Sequence, residues 1–377
     1  MADRKTIVID DAVPYAEAMF QHLGNIITLP GREIDAEAVS QADAVIVRSR
    51  TKVNQALLKN SRVSFVGSTV VGLDHIDQPY LKNQGIRFYS AQGCNANSVA
   101  EYVITCLLEV AEDKGFNLKE KTLGIVGVGH VGSLVYEKAK TLGIRCLLND
   151  PPKVEQQPEI AKSYVDLDSC LQADIITFHT PLTKNGAHPT YHLLSEQRLS
   201  HIRPDQIIVN AARGGIIDEL AWIKTNTLAN IIDCWENEPF IDPDLYRSAY
   251  IATPHIAGHS LDAKVAGGEM VYRQLCDYWG IKPQTEWQSL LPPEPEILTI
   301  NPTEKLQSAL YQTLKSTHDP RNDDRAIRSE DIKIIYEKYE FYRRNFPAYR
   351  EWKHHKFHTT ENEIVNETLL ALGLQTY

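Results

Sequence analysis

Three short segments carry side chains suited to moving a hydride and a proton. Asn210-Ala211-Ala212-Arg213-Gly214-Gly215 offers a guanidinium, Asp233-Cys234-Trp235-Glu236-Asn237-Glu238-Pro239 a carboxylate, and Thr253-Pro254-His255-Ile256-Ala257-Gly258 an imidazole. A planar guanidinium grips a carboxylate through two parallel hydrogen bonds and polarises the neighbouring carbonyl. An imidazole accepts a hydroxyl proton near neutral pH, and a glutamate beside it orients the ring and raises its proton affinity. Arg213, Glu238 and His255 together fit oxidation of a 2-hydroxy acid. Singly, each has a plainer reading as a surface ion pair, a solvated turn residue or a structural histidine. Their order, and what precedes them, favours chemistry.

What precedes them is Gly127-Val128-Gly129-His130-Val131-Gly132. Such a glycine pattern is weak alone. Here the apolar run Leu123–Val126 leads into it as a strand, and Leu134, Val135, Ala139 and Leu142 follow at helical spacing up to Gly143. Gly127 permits a tight turn, Gly129 lets backbone approach a pyrophosphate, and Gly132 allows close helix–strand packing. The helix N-terminus, opening at His130 and Val131, supplies unpaired N–H groups to phosphate. About 20 residues on, as a ribose-binding acid requires, stands Asp150. Its carboxylate accepts from ribose hydroxyls and repels a 2′-phosphate, and Pro151 and Pro152 follow it in place of an arginine. NAD is the expected cofactor, not NADP.

These loops need strands to hold them. Leu123–Val126, Ile144–Leu148, Ile175–Phe178, Ile207–Asn210, Ile231–Asp233 and Tyr250–Ala252 read as buried parallel strands, and the reactive segments follow strand carboxyl ends. An earlier α/β unit uses Thr6–Asp10, Ile26–Leu29, Ala44–Val47 and Val63–Gly67 as strands, with helical spacing over Pro14–Leu23 and Val53–Leu58. Ser98 and Glu101 resemble a capping box, so a long helix is expected to start at Ser98 and cross between domains. A second long helix, Asp262–Trp279, should return the chain to the first domain. Pro292, Pro293, Pro295 and Pro302 mark a linker into charged helical segments, Glu304–Lys315, Ser329–Arg344 and Asn362–Leu372.

The expected organisation is a substrate-binding domain over 1–97 and 257–285, an NAD-binding Rossmann domain over 98–256, and a C-terminal domain over 286–377. The net charge of −10 argues against nucleic acid or a membrane surface as partner and makes any local cation informative. No apolar stretch approaches the roughly 20 residues of a membrane span. Six scattered cysteines without a C-x-x-C pair read as buried thiols of a reducing cytoplasm, and nothing calls for a metal.

The segments around Arg213, Glu238 and His255 resemble the signatures of the D-isomer-specific 2-hydroxyacid dehydrogenase family, over roughly residues 1 to 285. The resemblance implies a Rossmann-type NAD domain with a discontinuous, flavodoxin-like substrate domain. It implies Arg213, Glu238 and His255 as the catalytic set, with Asp150, Thr180, Ala211, Arg213, Asp233 and Gly258 near NAD. Pro14-Tyr15-Ala16, Leu29-Pro30-Gly31-Arg32, Val47-Arg48-Ser49, Gly93-Cys94-Asn95-Ala96 and Asp150-Pro151-Pro152 resemble one branch of that family. Its members take a phosphorylated 2-hydroxy acid and dimerise through an extra C-terminal domain, of α+β type. Two departures bear on substrate contact. After Gly67 the third place holds Val70 instead of a threonine, which shifts that contact to Thr69, and His259 replaces a tyrosine.

Arg48-Ser49-Arg50, after a first-domain strand, is the expected phosphate holder, with Arg48 and Ser49 its leading members; a solvated strand-end pair is the plainer reading. The basic stretch from Arg343 to Lys356 reads as a solvated or dimer-interface face. Two other functions fit less well. A D-3-phosphoglycerate-type enzyme would carry a regulatory βαββαβ domain, a rhythm missing here. A non-catalytic NADH-sensing protein has no need of Arg213, Glu238 and His255.

Overall fold

The β-branched runs at the centre of each sheet become strands because they are apolar on both sides and take cover on both faces. The computed structural model describes residues 4–300 and 305–377, so Pro302 and Glu304 lie outside the described residues. The chain divides into two compact units, Met1–Asn95 with Ser260–Pro293, and Ala96–His259 with Glu294–Tyr377.

In the first unit, Thr6–Asp10 (β1), Asn25–Leu29 (β2), Ala44–Val47 (β3), Phe65–Ser68 (β4) and Arg87–Ser90 (β5) form one parallel sheet in the order β2-β1-β3-β4-β5. This is the flavodoxin-like order, with its reversal between β1 and β3. β5 escaped the reading of the sequence because it is an edge strand, partly exposed throughout and carrying Arg87 and Ser90. The expected strand Val63–Gly67 starts two residues later and ends one later, as β4. Val47 pairs with Ser68, so Arg48 and Thr69 leave the sheet on neighbouring strands. The Leu261–Trp279 helix returns to this unit and buries Val265, Val271, Tyr272 and Leu275 against Ile7, Ile9, Ile46 and Phe65. Gly67 makes that contact possible, since a Cβ there would sit 2.3 Å from Val271 Cγ1.

In the second unit, Thr122–Val126 (β6), Arg145–Asn149 (β7), Ile175–Phe178 (β8), Ile207–Asn210 (β9), Ala229–Ile232 (β10) and Ile251–Ala252 (β11) form a parallel sheet ordered β11-β10-β9-β8-β6-β7. The order reverses between β6 and β8, the Rossmann-type switch point. The helices Ala96–Lys114 and His130–Thr141 pack on each other and share a core with β6.

The first of these helices starts at Ala96, and Ser98 and Glu101 lie inside it, so the capping-box reading is corrected. Tertiary partners claim both side chains. The Ser98 hydroxyl donates to Glu351 at 2.6 Å, while Glu101 accepts from the Asn97 amide at 2.7 Å and from the Trp352 N–H at 3.1 Å. Burial pushes the Glu101 carboxyl up to about 8, and Lys138 opposes the shift.

The C-terminal segment is thereby built into the second unit. Its helices are Leu306–Thr317, Pro320–Ile327, Ile332–Arg344 and Glu363–Leu372, and Lys356–Phe357 (β12) pairs with Gln375–Thr376 (β13). The Leu306–Thr317 helix packs on Ala96–Lys114. Ile335 and Tyr339 are buried in one cluster with Trp235, Ile241 and Tyr246. In the sequence the amphipathic face of Ile332, Ile334, Ile335, Tyr339 and Tyr342 has no obvious partner earlier in the chain; folding gives it one. On the same helix Ile334 and Phe341 stay 42% and 71% exposed. No helix of the described residues is long and apolar enough to cross a membrane.

Candidate active site

The second unit gathers the expected chemistry at the carboxyl edge of its sheet. After β9, Asn210 shapes the turn that presents Arg213. Its amide donates to the Arg213 carbonyl at 3.0 Å and the Cys234 carbonyl at 3.2 Å, and its oxygen accepts the Ala212 N–H at 3.2 Å. Gly214 lets this turn press on the next loop, because a Cβ would lie 2.1 Å from the Trp235 carbonyl. The Arg213 guanidinium is half-buried and donates to the Ala212 carbonyl at 2.6 Å.

After β10, Glu238 accepts the Trp235 N–H at 2.9 Å and meets His255 Nδ1 at 2.9 and 3.1 Å. Burial works against its ionisation, but the His255 ring and the Trp235 amide outweigh it and hold the carboxyl at about 2. The glutamate is thus a carboxylate, its bond fixes the ring, and Nε2 is left as the edge free to take a proton.

His255 follows β11 with φ 55°, a left-handed backbone that a non-glycine residue holds only under constraint. Asp233 supplies much of that constraint. Its fully buried carboxylate accepts the Thr253 hydroxyl at 2.7 Å, the Ile256 N–H at 2.7 Å and the Ala257 N–H at 3.1 Å, while its carbonyl accepts the His255 N–H at 2.8 Å. Burial raises the Asp233 carboxyl, and these donors and His255 oppose the rise. The Tyr102 hydroxyl lies 2.7 Å from that of Thr253.

The residues expected to hold NAD form a second cluster in the same unit. Gly127 has φ 88°, and a Cβ there would come within 2.8 Å of the His179 backbone and Thr180 Cγ2. A Cβ on Gly132 would stand 2.0 Å from the Gly127 carbonyl, whereas one on Gly129 would meet nothing within 4 Å. Packing thus requires glycine at the first and third positions, and the second faces open space, as close approach of a pyrophosphate needs. His130 and Val131 open the helix. Asp150 follows β7 and accepts the Val128 N–H at 2.8 Å and the Lys153 N–H at 3.0 Å. The Thr180 hydroxyl and His179 Nδ1 are buried without a hydrogen-bond partner. An orphaned hydroxyl beside the glycine turn fits a site completed by a ligand. Ala211 is buried next to Asn210, and Gly258 ends the His255 loop. His259 turns an edge to Phe346, ring centres 6.0 Å apart.

In the first unit, Arg48 donates to the Ala12 carbonyl at 3.1 Å, and Ser49 is exposed. Thr69 is buried, with its hydroxyl 3.4 Å from the Val47 carbonyl. Lys264, in the first turn of Leu261–Trp279, was not singled out in the sequence. Burial, with the charge of Arg48 adding to it, pushes this ammonium down to about 8. Tyr339, which the sequence places on an unpartnered apolar face, is buried against Trp235 and Ile241. It lies in the C-terminal helix whose Tyr336 hydroxyl donates to the Ile241 carbonyl at 3.3 Å and whose ring meets Phe240 edge-on at 5.3 Å. That helix therefore supports the loop bearing Glu238.

The comparisons with known proteins give the family. The NAD binding domain of the D-isomer specific 2-hydroxyacid dehydrogenases matches residues 106–257. An erythronate-4-phosphate dehydrogenase of Hydrogenovibrio crunogenus is 58% identical over 375 residues, covering 100% of each chain. Another, from Ruthia magnifica, is 50% identical over 94% of this chain and 98% of its own. Among solved structures, the NAD+-bound 3-phosphoglycerate dehydrogenase of Entamoeba histolytica is similar at a TM-score of 0.63. It is 24% identical, over 74% of this chain and 96% of its own, a likeness of fold alone. The chain belongs to the D-isomer-specific 2-hydroxyacid dehydrogenase family, on the erythronate-4-phosphate dehydrogenase branch.

Proposed function

We propose that the chain oxidises 4-phospho-D-erythronate at C2 to 2-oxo-3-hydroxy-4-phosphobutanoate with NAD as acceptor, a step towards pyridoxal 5′-phosphate in the cytoplasm. The observation that carries this reading is the His255–Glu238 pair at 2.9 Å, beside the turn holding Arg213. The full-length identity of 58% to an erythronate-4-phosphate dehydrogenase supports the substrate.

Arg213 takes the substrate carboxylate in a two-bonded grip and fixes C2. His255 accepts the C2 hydroxyl proton at Nε2, and Glu238 stabilises the imidazolium that results. NAD, when bound, would supply the acceptor for the C2 hydride. Gly127, Gly129, His130, Val131 and Gly132 would hold its pyrophosphate, Asp150 its adenosine ribose, and Thr180, Ala211, Asp233 and Gly258 the remainder. Arg48 and Ser49 take the phosphate, and Thr69 and His259 complete the substrate contacts. The C-terminal segment joins two copies of the chain into a homodimer, and the exposed Phe341 and Ile334, seven residues apart on one helix, support that role.

The test is NADH formation with 4-phospho-D-erythronate, 3-phospho-D-glycerate and D-lactate side by side. The first is expected to give the highest kcat/KM, and a faster turnover of either other acid would overturn the substrate assignment.

A further inference from the structure

Cys234 stands next to the catalytic pair, and the oxidation proposed above makes no use of it. One ligand atom each from Cys234, Glu238 and His255 lies within 4.8 Å of the others. The thiol is buried and donates to the Ala212 carbonyl at 3.4 Å; the glutamate and histidine side chains are 20% and 27% exposed. Sulfur, oxygen and nitrogen donors make up a zinc-type ligand set. A tetrahedral ion with bonds of about 2.0–2.3 Å sets its donors roughly 3.5 Å apart, so small side-chain rotations close this triangle and water fills the fourth place.

We propose that Cys234, Glu238 and His255 form an inhibitory site for zinc or a similar thiophilic divalent cation, which switches the catalytic pair off. The inference rests on His255 acting as the base. His255 Nδ1 faces Glu238, and the opposite edge, Nε2, is the one that takes the substrate proton. A metal ion bound at Nδ1 displaces the proton there, which moves to Nε2. The Cys234 thiol loses its proton to solvent as the metal–sulfur bond forms. One proton is released in all, no redox change occurs, and Nε2 now carries hydrogen and accepts nothing.

The surrounding charges set the strength. Asp233 and Glu238 attract the ion, while the Arg213 and Arg343 guanidiniums also reach Cys234 and oppose it. Micromolar affinity is expected in place of the far tighter binding of a structural zinc. The ion sits on the ring edge away from the substrate, so it lowers kcat and leaves KM unchanged. Zinc bound simply at Nε2 would compete with the hydroxy acid.

The experiment uses the chelator-treated full chain with saturating NAD. Micromolar Zn²⁺ should lower kcat at least about tenfold, reversibly with EDTA, without raising KM. Cys234→Ser should keep wild-type turnover and need at least about 100-fold more zinc, as loss of one ligand implies; Cys234→Ala serves if the serine variant folds poorly. Cd²⁺ alone should give a thiolate-to-cadmium absorption band whose difference between wild type and Cys234→Ser reports ligation apart from turnover. Equal zinc sensitivity in the variant, competitive inhibition, or no difference band would overturn the proposal. A difference band with undiminished turnover would overturn the switch. Should His255→Ala retain wild-type turnover, the fault would lie with the base assignment, and the band would still report the site.

Discussion

The Thr253 hydroxyl reaches the Asp233 carboxylate at 2.7 Å, tying the strand end before His255 to the strand end before Glu238. Thr253→Val keeps the shape and removes the donor, leaving a buried carboxylate short of one hydrogen bond. That costs ~1–3 kcal/mol in unfolding free energy. Because the same carboxylate holds the Ile256 and Ala257 amides, kcat should fall about tenfold. Urea denaturation and steady-state kinetics read both, and unchanged kcat would show that the bond serves stability alone.

Asp150 is expected to set cofactor choice. The carboxylate also caps the Pro151–Gln156 helix and accepts the Val128 amide, so Ala would confound two effects. Asp150→Asn keeps an acceptor oxygen and removes the charge. NAD should bind several-fold more weakly and the NAD/NADP ratio of kcat/KM should narrow by at least about tenfold. A wild type that prefers NADP would refute the ribose-acid reading.

Arg48 is expected to serve the phosphate. Arg48→Ala should raise KM for the phosphorylated acid about 10-fold or more, the worth of a charge-assisted contact, with little change for D-erythronate. Equal losses on both acids would assign Arg48 to the carboxylate or to the fold.

Glu219 should give stability a pH dependence. Burial, with Glu236, Asp242 and Glu238 adding negative charge, raises its carboxyl from 4.5 to about 8. The folded state therefore keeps a proton that the unfolded chain releases. Its contribution is whole below about 4.5, declines as pH rises, and is lost above about 8. Glu219→Gln still offers an oxygen to the Glu236 N–H, now met at 2.7 Å, and never ionises. Its Tm should exceed that of wild type by a few degrees at alkaline pH, about 1–2 kcal/mol, and match it under acid. Thermal melts across the range decide it.

Phe341 tests the dimer. It is 71% exposed on a helix whose other face is buried, so Phe341→Asp should leave the fold intact and shift sedimentation towards monomer. A variant that sediments as wild type would overturn the proposed dimer contact through this helix.

The reactive loops were legible in the sequence because their information is local. The glycine turn, the acid after β7 and the three motif segments each carry their geometry within a few residues. What was missed depends on contacts far apart in sequence. Ser98 and Glu101 have the spacing of a capping box, yet their partners, Glu351 and Trp352, stand some 250 positions later. The apolar stripe of Ile332–Arg344 reads as unpartnered until Trp235 and Ile241 are seen to cover it. Lys264 sits at an ordinary helix start, and only folding brings it near Arg48. β5 has too little apolar pattern to announce itself, since an edge strand needs cover on fewer sides.

Both units are split in sequence, and this bears on synthesis. The first lacks Val271, Tyr272, Leu275 and Trp287 from its core until residues 260–293 have been made. The second has its six-stranded sheet by residue 252, yet its core still awaits Trp352, Phe357, Val365, Leu369, Leu372 and Leu374. A ribosome adds about 5–20 residues per second and holds the newest stretch in its tunnel. Until residue 293 has left the tunnel, then, neither unit can be finished, and the second stays open until Leu374 has followed. The nascent chain carries uncovered apolar surface on two half-built bodies at once, which makes it a natural client for a holding chaperone. A stop codon before Trp352 should yield insoluble protein instead of a smaller working enzyme.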